Sequence, residues 1–127
     1  MAGLSDYAEL KLLDHLLGTT TYTKPTAVYV KLHTADPGEA GANNAFGDTT
    51  RKAVTFAAAA SGAAAATGTP VCTWSPISAS GTITHWSLWD TVGPTGGNCL
   101  LTGALSVSKT VAASNNFSLS SLSVAAD

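Results

Sequence analysis

The chain has 127 residues and a formal charge of −2, and only 11% of its residues are charged, against roughly a quarter in ordinary soluble proteins. That length fits one domain, residues 1–127, with a core that needs no metal or disulfide, and the charge balance offers no basic patch for nucleic acid. With a mean hydropathy of +0.20 and so few charges, a free monomer has little to cover its surface, a deficit that contacts with other chains would relieve.

Ser5 is placed to cap a helix by accepting from an N–H of the first turn. Asp6 and Glu9 add negative charge at the positive end of the helix dipole. Tyr7, Leu10, Leu13, Leu16 and Leu17 recur at three- and four-residue spacing, so they share a face. Gly18 suits the left-handed residue that ends a helix. The spacing predicts a helix over about 6–17, too short to stand on propensity alone and therefore held by packing. Thr19–Thr26 is a polar connector. Val28, Val30 and Leu32 then alternate with Tyr29, Lys31 and His33, a strand with one face in a core and the other wet or at a contact. Residues 34–50 form a long Pro- and Gly-punctuated loop that lies over a neighbouring subunit or returns Phe46 to its own core.

Arg51–Phe56 resumes strand character. Ala57–Ala66 is nearly pure alanine around Ser61-Gly62; with no amphipathic stripe and strands on either side, it reads as an extended or irregular crossing despite its helix propensity. Val71–Trp74 is a short strand closed by Pro76. In Thr82–Asp90, Thr84, Trp86 and Leu88 face one way and Ile83, His85, Ser87 and Trp89 the other, so a tryptophan on each face implies a central or covered strand. Thr91–Gly97 is a turn. Cys99–Ser106 and Val107–Ala112 read as two strands, and Phe117–Val124 as a third whose change of phase at Ser120-Ser121 predicts a β-bulge. Seven or so short strands behind one N-terminal α-helix give a mainly β chain, an antiparallel β-sandwich of jelly-roll or immunoglobulin-like type.

The blocks Leu4-Ser-Asp-Tyr-Ala-Glu9, Lys11-Leu-Leu-Asp-His-Leu-Leu-Gly18, Tyr22-Thr-Lys-Pro-Thr26 and Thr34-Ala-Asp-Pro-Gly-Glu-Ala-Gly41 resemble the opening of a family of small tailed-bacteriophage virion proteins. Arg51–Phe56, Ile83-Thr-His85, Gly96–Leu101 and Gly103–Thr110 continue the resemblance nearly to the end. Such proteins are described as head decoration, head fibre or tail fibre proteins. The resemblance implies a virion structural protein that assembles in the host cytoplasm with copies of itself, commonly as a trimer, and with the major capsid protein or other virion proteins. A capsid decoration or cement role is the first expectation. A tail or fibre-base component and a receptor- or glycan-binding β-sandwich module are the alternatives.

No catalytic residue, cofactor or metal accompanies that resemblance, and the residues themselves suggest none. His15, His33 and His85 lie on separate predicted elements without metal-ligand spacing. The serines lack a Gly-x-Ser-x-Gly setting, and neither cysteine has a histidine nearby in sequence. Asp36-Pro-Gly-Glu39 with Asp48 lacks the EF-hand spacing and reads as a solvated turn. Cys72 and Cys99 read as reduced, buried and apolar, although adjacent strands would also permit a disulfide. No apolar run reaches the length of a membrane span and no signal-peptide pattern opens the chain, so no membrane is expected. The expected interface anchors are aromatic: Tyr7, Tyr22, Tyr29, Phe46 and Trp89.

Overall fold

A computed structural model describes residues 3–125 of the chain. In chain order its elements are β1 (Gly3–Leu4), α1 (Asp6–Leu16), β2 (Val28–His33), β3 (Lys52–Val54), β4 (Ala63–Ala65), β5 (Cys72–Trp74), β6 (Gly81–Trp89), β7 (Cys99–Val111), β8 (Phe117–Leu119) and β9 (Ser123–Ala125). The fold is mainly β with a single N-terminal helix among the described residues, and every strand pairing is antiparallel. A five-stranded sheet runs β1-β7-β6-β2-β3, and two short ribbons, β4-β9 and β5-β8, complete the fold. No described helix is long and apolar enough to cross a membrane.

The core lies between one face of the large sheet and the β5-β8 ribbon. Val30 and Leu32 of β2, Val54 of β3, and Trp86 and Leu88 of β6 meet Cys72, Trp74, Phe117 and Leu119, with Phe46, Ile77 and Leu122 filling the ends. Trp74 and Phe117 tilt against each other with ring centroids 5.7 Å apart, and the Trp74 indole N–H donates to the Thr50 carbonyl. Each such buried side chain contributes about 2 kcal/mol by removal from water. The tryptophan on each face of β6 follows from its place between β2 and β7.

The second face of β2 is covered as well, and by this chain. The loop after His33 returns to pair Ala45 with His33 and to place Phe46 in the core, its N–H donating to the Leu32 carbonyl. On the way it passes Pro37 and Gly41 over the outer face of the sheet, where both are buried. Gly41 has φ +66°, and a Cβ there would meet the Cys99 sulfur at 2.5 Å. Lys31 and His33 are consequently buried, where alternation alone left their face open.

Three expectations from pattern need correction. Cys99–Val111 is one strand, and the break read near Ser106 is a bulge: between the pairs Ile83–Lys109 and His85–Ala104, β7 advances five residues while β6 advances two. The added twist of a bulge turns Ile83 into the core beside Trp86 and Leu88, away from the His85 side. Second, the phase change at Ser120-Ser121 is a break between two strands that serve different ribbons, with Leu119 and Leu122 both buried on either side of it. Third, the alanine tract is neither a helix nor a plain crossing. Its extended arms form a β-hairpin in which Ala60 and Ala63 exchange backbone bonds of 2.8 and 3.1 Å across Ser61 (φ +53°) and Gly62 (φ +78°). A two-residue turn with both central residues at positive φ matches the twist of the flanking strands.

Candidate interaction surface

The helix α1 is capped at both ends and only half-shielded along its inner side. At its start the Ser5 hydroxyl accepts from the Ala8 N–H at 3.1 Å and donates to the Cys99 carbonyl, while the Ser5 N–H donates to the Leu100 carbonyl at 2.9 Å. One buried serine therefore caps the helix and ties it to β7. At its end the Thr19 N–H donates to the Asp14 carbonyl and the Gly18 N–H to that of His15, with Gly18 at φ +79°. This is the Schellman arrangement, which satisfies the last carbonyls.

Between these ends no helix residue is buried. Helical geometry puts positions 6, 9, 10, 13, 16 and 17 on one side and 7, 8, 11 and 14 on the other. Tyr7, Ala8, Lys11 and Asp14 are the half-shielded residues, while Leu10, Leu13, Leu16 and Leu17 are 64%, 54%, 69% and 75% exposed. The leucine stripe that periodicity assigns to internal packing thus points into solvent, and Tyr7 parts from it on the inner side. An amphipathic helix serving its own core turns the other way.

The first turn of that outward side is acidic. Asp6 and Glu9 meet Glu39, from the loop after β2, with one carboxylate oxygen of each within 4.8 Å of the others, all three residues exposed. Hydrogen bonding with Asp6, and then the charges of Asp6 and Glu9, raise the Glu39 carboxyl above its ordinary pKa. Asp36 and Asp48 stand apart from this group. Asp36 accepts from the Gly38 N–H, and Asp48 accepts from the N–H groups of Thr50 and Ser78. Burial alone would raise the Asp48 pKa; those bonds more than offset it and lower it.

The expected aromatic anchors separate into two sets. Phe46, 1% exposed, is a core residue of this chain on the inner side of the sheet, and Trp89 is 8% exposed on the outer side. The Arg51 guanidinium lies 3.9 Å from the Trp89 ring centroid and donates to Thr91 and to the Gly96 carbonyl. Packing within the chain occupies both aromatics. Tyr29 is half-buried and pairs directly with Trp89 across β2 and β6. Tyr7 and Trp89 line one shallow groove of about 250 Å³ with Ser5, Glu39 and Cys99. Tyr22 is half-buried and its N–H donates to the His15 ring; burial, then the charges of Tyr7 and Asp90, raise its phenol pKa.

Under the loop His33, Ser87 and Trp89 are hydrogen-bonded as a chain. The His33 Nδ1–H donates to the Asn43 carbonyl, which leaves Nε2 to accept from the Ser87 hydroxyl at 2.7 Å, and Ser87 accepts in turn from the Trp89 indole. Burial, outweighing the Asn43 bond, keeps the His33 pKa low, so the imidazole is neutral. Cys72 and Cys99 are free thiols, both pushed up to about 11 by burial and so unsuited to nucleophilic work. The arrangement offers a contact surface and no assembled reaction centre among the described residues.

The residues that sequence reasoning passed over are therefore the leucines themselves, together with Glu39. Periodicity identified the stripe. The only signal for its direction was the low charge of the whole chain.

A comparison with family models matches residues 3–127 to Podophage GP4 fiber I protein gp80. No curated protein matches the chain.

Proposed function

The chain belongs to the podophage GP4 fiber I protein family, and from that premise we propose that it is a structural subunit of a virion fibre that works by protein–protein contact, without catalysis. Membership makes it a virion structural protein. The finer reading is carried by one observation: α1 is fixed at both ends while its leucine side faces outward. A folded subunit with an unpartnered apolar stripe is suited to insertion into a larger assembly, where burial of that stripe supplies the driving force. We assign the stripe to attachment on the particle and the compact β body to the projecting part. Assembly in the host cytoplasm, with copies of itself among its partners, belongs to the same proposal.

Quantitative mass spectrometry of purified particles tests it. A fibre subunit appears at a small fixed ratio to the tail proteins. A copy number approaching that of the major capsid protein would instead support the capsid decoration role, and absence from purified particles would remove both.

A further inference from the structure

We propose that the outward side of α1 docks into an apolar groove on a different virion protein, one whose groove ends in lysine or arginine side chains. This rests on the fibre reading and adds the chemistry of the partner. The outward side is two surfaces in sequence. Its first turn carries Asp6 and Glu9, joined by Glu39, and the next turns carry Leu10, Leu13, Leu16 and Leu17. A complementary site is therefore apolar along most of its length and cationic at one end.

A second copy of this chain does not fit that description. Two such helices side by side in parallel would bring Asp6 and Glu9 against their own counterparts. Antiparallel, they would set these carboxylates on leucines, which desolvates charge without pairing it. Nor do the surface lysines of the described residues fall on one element. Of the six Lys and Arg residues, Lys31 and Arg51 are buried, and Lys11 is on the inner side of α1. Lys24, Lys52 and Lys109 stand on the connector, on β3 and on β7, three separate elements. Among the described residues no Lys, Arg or His belongs to the group of three carboxylates, where hydrogen bonding with Asp6, then the charges of Asp6 and Glu9, raise the Glu39 pKa; a partner's ammonium or guanidinium would offset the negative charge gathered there.

The test uses particles assembled without this protein, to which the purified full-length chain is added and its binding followed by sedimentation. Binding of the native chain should weaken as salt rises. Asp6→Asn with Glu9→Gln and Glu39→Gln should bind about tenfold more weakly at low salt and lose the salt dependence. Leu13→Gln with Leu17→Gln should not bind at any salt, with circular dichroism showing the fold retained. Three results would overturn the inference while leaving the fibre reading in place. These are native affinity and native salt dependence in the triple carboxamide variant, loss of binding on adding EDTA, and a native dimer in the ultracentrifuge that the leucine variant dissociates. Failure of the native chain to bind particles, together with its absence from purified ones, would bring down the fibre reading itself.

Discussion

Replacing Ser5 by alanine separates the helix from the body of the protein more cleanly than any other single change. The serine is 1% exposed and its hydroxyl makes two bonds, accepting from Ala8 and donating to Cys99. Loss of an N-cap costs about 1 kcal/mol, and loss of a buried hydroxyl-to-carbonyl bond about another 1 kcal/mol. Because α1 buries no residue, nothing in the core depends on it, so the loss of about 2 kcal/mol should fall on local opening of the helix. At 1.36 kcal/mol per decade that is about a thirtyfold shift toward the open form. Hydrogen exchange resolved by residue reads this directly. Amides from Glu9 to Leu17 should lose about thirtyfold in protection, while those of Val30, Leu32 and Leu88 keep theirs. If the core strands lose protection by the same factor, the helix is a cooperative part of the domain and the argument from its exposed leucines fails.

Three further outcomes follow from named contacts. Leu13→Gln and Leu17→Gln, made at positions 54% and 75% exposed, should shift the free energy of unfolding by no more than about 0.5 kcal/mol in urea titrations; losses of core size would show that the stripe packs internally. His33 has its folded pKa below the ordinary 6.5. The unfolded chain therefore binds the extra proton first, and stability, full above 6.5, should fall as pH drops below it by up to about 1.36 kcal/mol per unit. Thermal melts from pH 7.5 to 5 measure that slope, and His33→Gln should remove it. Gly103→Ala drives a Cβ into the Trp86 ring and should destabilise by about 1–3 kcal/mol, seen as a lower urea midpoint with the native near-ultraviolet signal disturbed.

The sequence disclosed the elements better than their surroundings. The cap at Ser5, the stop at Gly18, the inward set Val28, Val30 and Leu32 and the central β6 all rest on local chemistry or period, and those signals sit in adjacent residues. The extended state of the alanine tract was legible because Gly62 interrupts it, although the hairpin was not. What covers a face is decided by residues far away in the chain. Lys31 and His33 read as half-wet because nothing local announces that Pro37 and Gly41 fold over them. Phe117 and Leu122 sit in one readable segment, yet the switch from β5 to β4 as partner is set by those distant ribbons. The helix is the sharpest instance. Its periodicity is unambiguous, and the anchor that turns its leucines outward is a hydroxyl bonded to Cys99, ninety-four positions along the chain.

The bulge in β7 bears on how such subunits survive crowding. Among the described residues β1 pairs with Leu101 and Thr102 on the outer edge of β7 and Ser5 bonds the Cys99 and Leu100 carbonyls, so the part of this thirteen-residue strand beyond Thr102 presents a margin where another sheet could add. Flat margins of that kind seed runaway stacking between molecules. Here the extra residues of β7 buckle the margin, Val107 stands 77% exposed at the crest, and Lys109 places a charge just beyond it. No straight ladder can be continued across that stretch. Edge-to-edge pairing between molecules is thereby disfavoured along the one long strand whose outer side is largely uncovered among the described residues.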